Sequence, residues 1–242
     1  MSQRLSLQGR LAVITGGGRG IGLAVARAFI REGCNLIISG RDGPTLQSAL
    51  TELSKTGSAE VMALGCDISK PAEIEILFAT VAKKYHTIDV LVNNAGVAHG
   101  LGPADQLEPQ TWQQVIDTNL TGMFLTTRAA LAMMKAGGTI VNNLSVAAVQ
   151  PFEGMAAYNA SKYGALGFTN ALRLDLRKRG IRVLALMPGA TDTAMWDQFW
   201  PQAPREKMLC ADTVAEAVLH AVTLPPEATI EEIRMGPAAG VL

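Results

Sequence analysis

Seven short apolar segments recur along the chain, and stretches long enough to form helices separate them. The segments are LAVIT (11–15), NLIIS (35–39), VMALG (61–65), DVLVNN (89–94), GTIVNNL (138–144), IRVLALM (181–187) and the weaker TIEEIRM (229–235). Nearly continuous apolar runs of this length are typical of strands that are covered on both faces, as in a parallel sheet. The alternation therefore predicts an α/β fold, with a doubly wound parallel sheet of about seven strands and helices on both faces.

Helix signals occur in the stretches between these segments. One helix is predicted over 21–32, a second begins at Asp42 with Pro44 in its first turn, and a third follows 69–71. The 242 residues contain no long linker, low-complexity tract or repeat. We therefore expect a single domain, residues 1–242, because an alternating α/β chain of this size commonly folds as one unit.

Composition narrows the classes of partner. Twenty-one basic residues balance twenty-one acidic ones, so no overall field favours nucleic acid or an anionic membrane surface. No apolar run reaches the ~18 residues that span a bilayer, and the N-terminus lacks the apolar core of a signal peptide. The three cysteines, Cys34, Cys66 and Cys210, are too scattered for a disulfide framework or a zinc site. We expect a cytoplasmic protein without a metal, whose partners are small molecules and copies of itself.

The first predicted strand runs into a glycine-rich turn that is followed by a helix. Such a turn forms an anion site, because backbone N–H groups and the helix dipole point at a phosphate; the alternative is a tight turn without a ligand. The spacing is G-x-x-x-G-x-G, which differs from the common dinucleotide fingerprint. The predicted binding residues of the turn are Gly16, Gly18, Arg19, Gly20, Ile21 and Gly22.

The end of the second strand bears on the choice between NAD and NADP, because an acidic side chain there would hold the adenosine ribose of NAD. Gly40 offers no carboxylate, whereas Arg41 and Arg19 could clamp a 2′-phosphate. Asp42 is the competing candidate for the ribose, but its place just before Gly43-Pro44 favours a helix N-cap. The sequence therefore favours NADP(H) and leaves NAD(H) as the alternative.

A tyrosine and a lysine stand four residues apart, at Tyr158 and Lys162, and so share a helix face. A free phenol titrates near 10, and a neighbouring ammonium group stabilises its anion and lowers its pKa. In an arbitrary helix such a pair is more often a core tyrosine and a solvated lysine. Here Ser145 lies thirteen residues before Tyr158, at a predicted strand end where ligands of open α/β sheets bind. The three side chains are therefore predicted to form a catalytic set.

Seven motifs occur together and in one order. They are TGGGRGIG (15–22), CDI (66–68), NNAG (93–96), the Asn119 of TNLTG (118–122), IVNNLS (140–145), YNASK (158–162) and MPGATDT (187–193). On these motifs the chain resembles a short-chain dehydrogenase/reductase over at least residues 10–195. The resemblance implies a Rossmann fold and an NAD(P)-dependent oxidoreductase acting on CH–OH groups. One motif departs from many relatives, which carry two serines where this chain has Leu144-Ser145.

The resemblance also implies roles for individual residues. Tyr158 would pass a proton to or from the substrate oxygen, and Ser145 would hydrogen-bond the carbonyl. Lys162 would lower the pKa of Tyr158 and hold the nicotinamide ribose, while Asn119 would hold a water that links Lys162 to solvent. The other implied cofactor contacts are Asp67 and Ile68 at the adenine, Asn94, Ala95 and Gly96 on the ribose side, and Pro188, Gly189, Thr191 and Thr193 at the nicotinamide.

Substrate choice is expected to lie in a loop at about 190–208, where Trp196, Phe199 and Trp200 are concentrated. This segment either closes over the cofactor as a lid or packs on the sheet as a pair of helices. Its aromatic residues favour an apolar or ring-bearing substrate. His99, just after NNAG, is a weaker candidate for substrate contact.

Taken together, these features predict an NADP(H)-dependent oxidoreductase that interconverts a ketone or aldehyde and the corresponding alcohol. The C-terminal residues 224–242 resemble the branch of serine and 3-hydroxy-acid dehydrogenases, so an NAD-dependent alcohol or 3-hydroxy-acid dehydrogenase is an alternative. A nucleotide-sensing protein without turnover, and a dehydratase or epimerase on the same scaffold, are further alternatives. The resemblance implies a homotetramer, or a homodimer, built on the helices around 109–135 and 157–179.

Overall fold

Seven parallel strands form one sheet in the computed structural model, which describes residues 4–240. The strands are β1 (Leu11–Thr15), β2 (Asn35–Gly40), β3 (Val61–Gly65), β4 (Val90–Asn93), β5 (Thr139–Asn143), β6 (Arg182–Pro188) and β7 (Glu232–Met235). Their order across the sheet is β3-β2-β1-β4-β5-β6-β7. Each predicted strand is present. Residues 1–3 and 241–242 of the expected domain lie outside the described residues.

Seven α-helices connect and flank the strands in the described part of the chain. They are α1 (Gly20–Arg31), α2 (Gly43–Thr56), α3 (Pro71–Ala82), α4 (Pro109–Ile116), α5 (Gly122–Leu131), α6 (Ala156–Arg177) and α7 (Ala211–Val222). The Asp42 carboxylate accepts a hydrogen bond of 2.9 Å from the Thr45 backbone N–H, so the predicted N-cap of α2 is confirmed. Within residues 4–240, no helix is both long and apolar enough to cross a membrane.

The sheet is covered on both faces because successive strand residues point in opposite directions. Ala12 and Ile14 pack against α1, α2 and α7, whereas Leu11 and Val13 pack against α3, α5 and α6. Burying one large apolar side chain such as that of Phe29 contributes roughly 1.5–3 kcal/mol, and both layers contain many. The predicted doubly wound Rossmann fold is therefore confirmed.

The strand order reverses next to β1, which pairs with β2 on one side and with β4 on the other. The loops that follow β1 and β4 diverge at this switch point and leave a crevice between them, which is where ligands bind in open α/β sheets. The pairing of Ile14 with Val92 brings the glycine-rich turn beside Asn94. The fold thus places two of the predicted cofactor motifs next to each other.

Candidate active site

One large cavity, of about 890 Å³, opens at the carboxyl ends of the strands. Cavities that take cofactors and small molecules have volumes of about 300–1,000 Å³. The catalytic candidates Ser145, Tyr158 and Lys162 all line it. The predicted cofactor residues that line it are Gly16, Gly18, Arg19, Gly20, Ile21, Arg41, Asp67, Ile68, Asn94, Ala95, Gly96, Tyr158, Lys162, Pro188, Gly189, Thr191 and Thr193.

Glycines shape the turn between β1 and α1, because they have no side chain. Gly16 and Gly20 have φ angles of 63° and 54°, in the left-handed region that favours glycine. Gly22 was predicted to bind the cofactor, but it does not line the cavity. A Cβ at Gly22 would lie 2.3 Å from the Gly16 carbonyl oxygen and 2.4 Å from Asn94 Nδ2. Gly22 therefore acts indirectly, by letting α1 pack closely against the turn.

Two arginines and two carboxylates lie at the end of the cavity beside β2. Hydrogen bonds from Thr45 lower the pKa of Asp42, and the charge of Arg19 also lowers it. Burial acts to raise the pKa of Asp67, but hydrogen bonds from Ser69 and the charge of Arg41 make the net shift downward. Both carboxylates are therefore ionised at neutral pH and already hydrogen-bonded within the protein.

The three catalytic candidates come from two neighbouring elements. Ser145 follows β5, and Tyr158 and Lys162 lie in the first two turns of α6. The Ser145 side chain acts to lower the pKa of the Tyr158 hydroxyl, and Ser145 Oγ accepts a hydrogen bond of 3.1 Å from the Ala147 N–H. Lys162 Nζ lies 5.5 Å from the centroid of the Tyr158 ring and donates a hydrogen bond of 3.1 Å to the Asn143 backbone carbonyl. The predicted set is thus brought together in one place.

Burial controls the protonation of this set. It raises the pKa of Tyr158, and the hydrogen bond to Ser145 lowers that pKa by less. Burial also lowers the pKa of Lys162 to about 8. We expected Lys162 to lower the pKa of Tyr158, and this expectation does not describe the net shift. Loss of water around the phenol is the larger effect, because it disfavours the phenolate.

Asn119 lies in a π-helical turn, Asp117–Thr121, between α4 and α5. Such turns occur frequently at functional sites. The Asn119 side chain is 1% exposed and does not line the cavity. Its Nδ2 donates to the Val97 carbonyl at 2.9 Å and to Ser161 Oγ at 3.0 Å, and its Oδ1 accepts from the Val97 N–H at 2.8 Å. Its amide is therefore occupied by protein partners, and a role in holding water stays a prediction.

Comparison with known families decides which family the chain is from. The family model described as short chain dehydrogenase matches residues 10–204, which span the cavity from the glycine-rich turn to the segment after β6. The chain belongs to the short-chain dehydrogenase family. The resemblance stated from the motifs is confirmed, and with it the prediction of an NAD(P)-dependent oxidoreductase that acts on CH–OH groups.

Several short-chain dehydrogenases are similar to this chain. A 3β-hydroxysteroid dehydrogenase from Mediterraneibacter gnavus is 37% identical over 193 residues, which are 78% of this chain and 68% of that protein. The closed form of a serine dehydrogenase complexed with NADP⁺ has a TM-score of 0.86 and 31% identity, and the match covers 96% of each chain. A family member from Burkholderia phymatum in complex with NAD has a TM-score of 0.84 and 27% identity, covering 90% of this chain and 87% of that one.

A network of asparagines underlies the site of this short-chain dehydrogenase. Asn94 Nδ2 donates to the backbone carbonyls of Thr15 and Gly16, each at 3.0 Å, and Asn143 Nδ2 donates to Asn94 Oδ1 at 2.8 Å. The carbonyl of Asn143 in turn holds Lys162. The sequence analysis missed Asn143. The signal was present, because Asn-Asn pairs stand at the ends of both β4 and β5.

The segment after β6 closes one side of the cavity in this family member. It contains two short 3₁₀ helices, Ala194–Gln198 and Arg205–Lys207, and a role as a lid over the cofactor stays a prediction. Trp196 stacks on Phe199 and Trp200, with ring centroids 4.8 and 6.0 Å apart, and all three rings line the cavity.

His99, the weaker candidate for substrate contact, does not line the cavity. It is 6% exposed, and its ring is hydrogen-bonded to the Gly100 carbonyl.

The cavity of this short-chain dehydrogenase fits a dinucleotide. The glycine-rich turn leaves backbone exposed where a Cβ would intrude, and Arg19, Arg41 and Lys162 all line the same cavity. Among residues 4–240, no group of three or more His, Cys, Asp or Glu side chains could hold a metal ion.

Proposed function

We propose that the protein is an NADP(H)-dependent oxidoreductase that interconverts a ketone or aldehyde and the corresponding alcohol, with Tyr158 as the general acid and base. The observation that carries this proposal is the grouping of Ser145, Tyr158 and Lys162, with Lys162 beside the phenol, in the cavity that the glycine-rich turn opens into.

The two hydroxyls act on the substrate oxygen. The bound dinucleotide supplies the hydride that reaches the carbonyl carbon. Ser145 Oγ and the Tyr158 hydroxyl donate hydrogen bonds to the carbonyl oxygen, where negative charge builds. Tyr158 then gives its proton to that oxygen and completes the alcohol, and in the reverse direction the phenolate takes the proton.

The protonation states suit donation of a proton to a carbonyl oxygen near neutral pH. Burial raises the pKa of Tyr158, so its hydroxyl keeps the proton that reduction consumes. Lys162, with a pKa of about 8, is mostly protonated at pH 7. Its positive charge lies beside the phenol and stabilises the phenolate that remains after the proton has left.

Three observations support NADP(H) over NAD(H). The guanidinium groups of Arg19 and Arg41 line the cavity and form no ion pair within residues 4–240. Gly40 at the end of β2 offers no carboxylate for a ribose. Asp42, the competing acid, is engaged in capping α2. A 2′-phosphate would satisfy both arginines through charge-assisted hydrogen bonds.

An apolar substrate fits the other end of the cavity. Trp196, Phe199 and Trp200 form one wall, and Leu101 and Met155 face the same space. Aromatic rings of this kind contribute large contact areas and pack well against flat apolar bodies. We therefore propose a ketone or secondary alcohol with an apolar or ring-bearing body.

We propose that copies of the chain assemble into a homotetramer through α4, α5 and α6. These helices carry large apolar side chains that are unusually exposed: Trp112 at 41%, Phe124 at 43%, Tyr163 at 44% and Leu174 at 67%. Exposed apolar patches of this kind mark interfaces between proteins. Light scattering that gives the mass of a monomer would contradict the assembly.

Replacement of Tyr158 by Phe tests the proposed chemistry. Turnover of a panel of apolar ketones with NADPH should fall by about 10²–10⁴, because the general acid is lost. NADPH affinity by calorimetry should change by less than about threefold, which is below ~0.7 kcal/mol. Tyr163→Phe is the matched control, since Tyr163 lies on the same helix and does not line the cavity. Turnover by Tyr158→Phe close to that of the parent would refute the assignment.

A further inference from the structure

Arg205 lies outside the cavity, yet its guanidinium binds the segment that closes it. Residues 191–200 form this cavity-facing segment. Arg205 Nη1 donates to Asp192 Oδ1 at 2.9 Å and to the Thr193 backbone carbonyl at 2.7 Å. Arg205 Nη2 donates to Asp197 Oδ1 at 2.5 Å. The Arg205 side chain therefore links residues 192–193, near the start of the segment, to Asp197 further along it.

The part of the segment that Arg205 holds sits directly on the glycine-rich turn. A Cβ built at Gly20 would lie 3.1 Å from Thr193 Cγ2, so Thr193 is in contact with the turn. Trp196 is oriented by its own hydrogen bond of 2.9 Å from Nε1 to the Thr191 carbonyl. The segment therefore packs against the turn that we propose as the phosphate site.

The base of the segment is fixed by backbone contacts, whereas its far part depends on side chains. Leu209 donates to the Ala190 carbonyl at 2.8 Å and accepts from the Asp192 N–H at 2.9 Å. Between these anchors, Arg205 links the outgoing chain to the returning chain. Loss of Arg205 would remove its contacts with Asp192, Thr193 and Asp197 and would leave the far part of the segment with fewer anchors.

The chemistry of the link requires an arginine. Arg205 is 27% exposed, and its partners Asp192 and Asp197 are 55% and 65% exposed, so each ion pair alone is weak. A planar guanidinium can serve three acceptors at fixed angles, which the single nitrogen of a lysine cannot. Replacement of Arg205 removes all three bonds at once.

We infer that Arg205 is a positioning residue that holds the cavity-facing segment closed and thereby slows release of the dinucleotide. This inference rests on the proposed function, since it takes the cavity as the dinucleotide site. Arg205 does not line the cavity and acts through Thr193, which does. Its loss should affect binding and release more than the chemical step.

The test compares Arg205→Gln with Lys207→Gln. Lys207 lies in the same short helix and carries the same charge, but its side chain forms no ion pair within residues 4–240. Stopped-flow displacement of NADPH should show dissociation about tenfold faster in Arg205→Gln, equivalent to ~1.4 kcal/mol, and a rate within about twofold of the parent in Lys207→Gln. Arg205→Lys should fall between the parent and Arg205→Gln.

Two further readouts separate positioning from a general loss of structure. The KM for NADPH should rise in Arg205→Gln while kcat stays within about threefold of the parent. In cofactor-free protein, acrylamide should quench tryptophan fluorescence more strongly, because Trp196 and Trp200 lie on the released segment. Addition of Asp197→Asn to Arg205→Gln should have no further effect, since the pair is already broken.

Unchanged NADPH release together with unchanged quenching in Arg205→Gln would overturn the inference. A parent protein that binds neither NADPH nor NADH would instead overturn the proposed function. The quenching measurement needs no cofactor, so it still decides in that case whether Arg205 holds the segment. The two failures are therefore distinguishable.

Discussion

Replacing Lys162 by methionine should stabilise the cofactor-free protein at neutral pH while abolishing its activity. Lys162 is 5% exposed, and burial lowers its pKa from 10.5 to about 8. Each pKa unit corresponds to ~1.4 kcal/mol, so holding the ammonium group in the folded protein costs about 3 kcal/mol at pH 7. Methionine has a similar length and removes this cost. The lost hydrogen bond to the Asn143 carbonyl offsets about 1–1.5 kcal/mol of the gain.

The pH dependence follows from the sign of the shift. The pKa of Lys162 is lower in the folded state than in the unfolded chain, so the unfolded chain binds more protons between about pH 8 and 10.5. The free energy of unfolding of the parent therefore rises with pH over this window. The variant lacks this rise, so its net advantage of about 2 kcal/mol at pH 7 should fall by roughly 2.5 kcal/mol by pH 10.

Urea denaturation of the two proteins at pH 7 and pH 10 measures this difference directly, at equal protein concentration because assembly shifts apparent stability. In thermal denaturation at pH 7, the melting temperature of Lys162→Met should be higher than that of the parent by about 3–8 °C for a chain of this length. Lys178→Met, at the exposed end of the same helix, is the control and should change little at either pH. A Lys162→Met variant that is no more stable than the parent at pH 7, with a difference independent of pH, would contradict the lowered pKa of Lys162.

Two further substitutions test the cofactor site. Gly22→Ala places a Cβ 2.3 Å from the Gly16 carbonyl oxygen, so calorimetry should show at least about tenfold weaker NADPH binding and denaturation a loss of about 1–3 kcal/mol. Gly167→Ala, where a Cβ meets nothing within 4 Å, should leave binding unchanged. Arg41→Gln should weaken NADPH binding by about tenfold, ~1.4 kcal/mol, without weakening NADH binding. The same substitution at the exposed Arg128 should do neither, and equal losses for both dinucleotides would contradict the proposed role of Arg41.

The fold could be predicted from the sequence because local signals and burial agree. The strands β1 and β3 begin and end at the predicted residues, since their apolar runs are bounded by turn residues. The cap at Asp42 was also predictable, because an acid before Gly-Pro has few other roles. The bounds of the last strand were harder to predict, because an edge strand has a weaker apolar pattern. The predicted segment was 229–235, whereas β7 begins at Glu232.

The site was predictable where residue types carry the chemistry, and unpredictable where tertiary contacts do. Ser145, Tyr158 and Lys162 could be grouped from spacing, yet the net pKa shift of Tyr158 depends on how many atoms surround it in the fold. The contact of Lys162 with the Asn143 carbonyl involves a backbone atom, which no sequence pattern marks. Arg205 gave no signal either, because its three partners meet it only after the loop has folded.

Calorimetric titration of the purified protein with NADPH and with NADH measures whether this short-chain dehydrogenase uses NADP(H). We expect NADPH to bind at least about tenfold more tightly, a difference of ~1.4 kcal/mol, because Arg19 and Arg41 would meet the 2′-phosphate. NADH binding that equals or exceeds NADPH binding would contradict the claim. It would then point to Asp42 as the ribose ligand and to an NAD-dependent dehydrogenase.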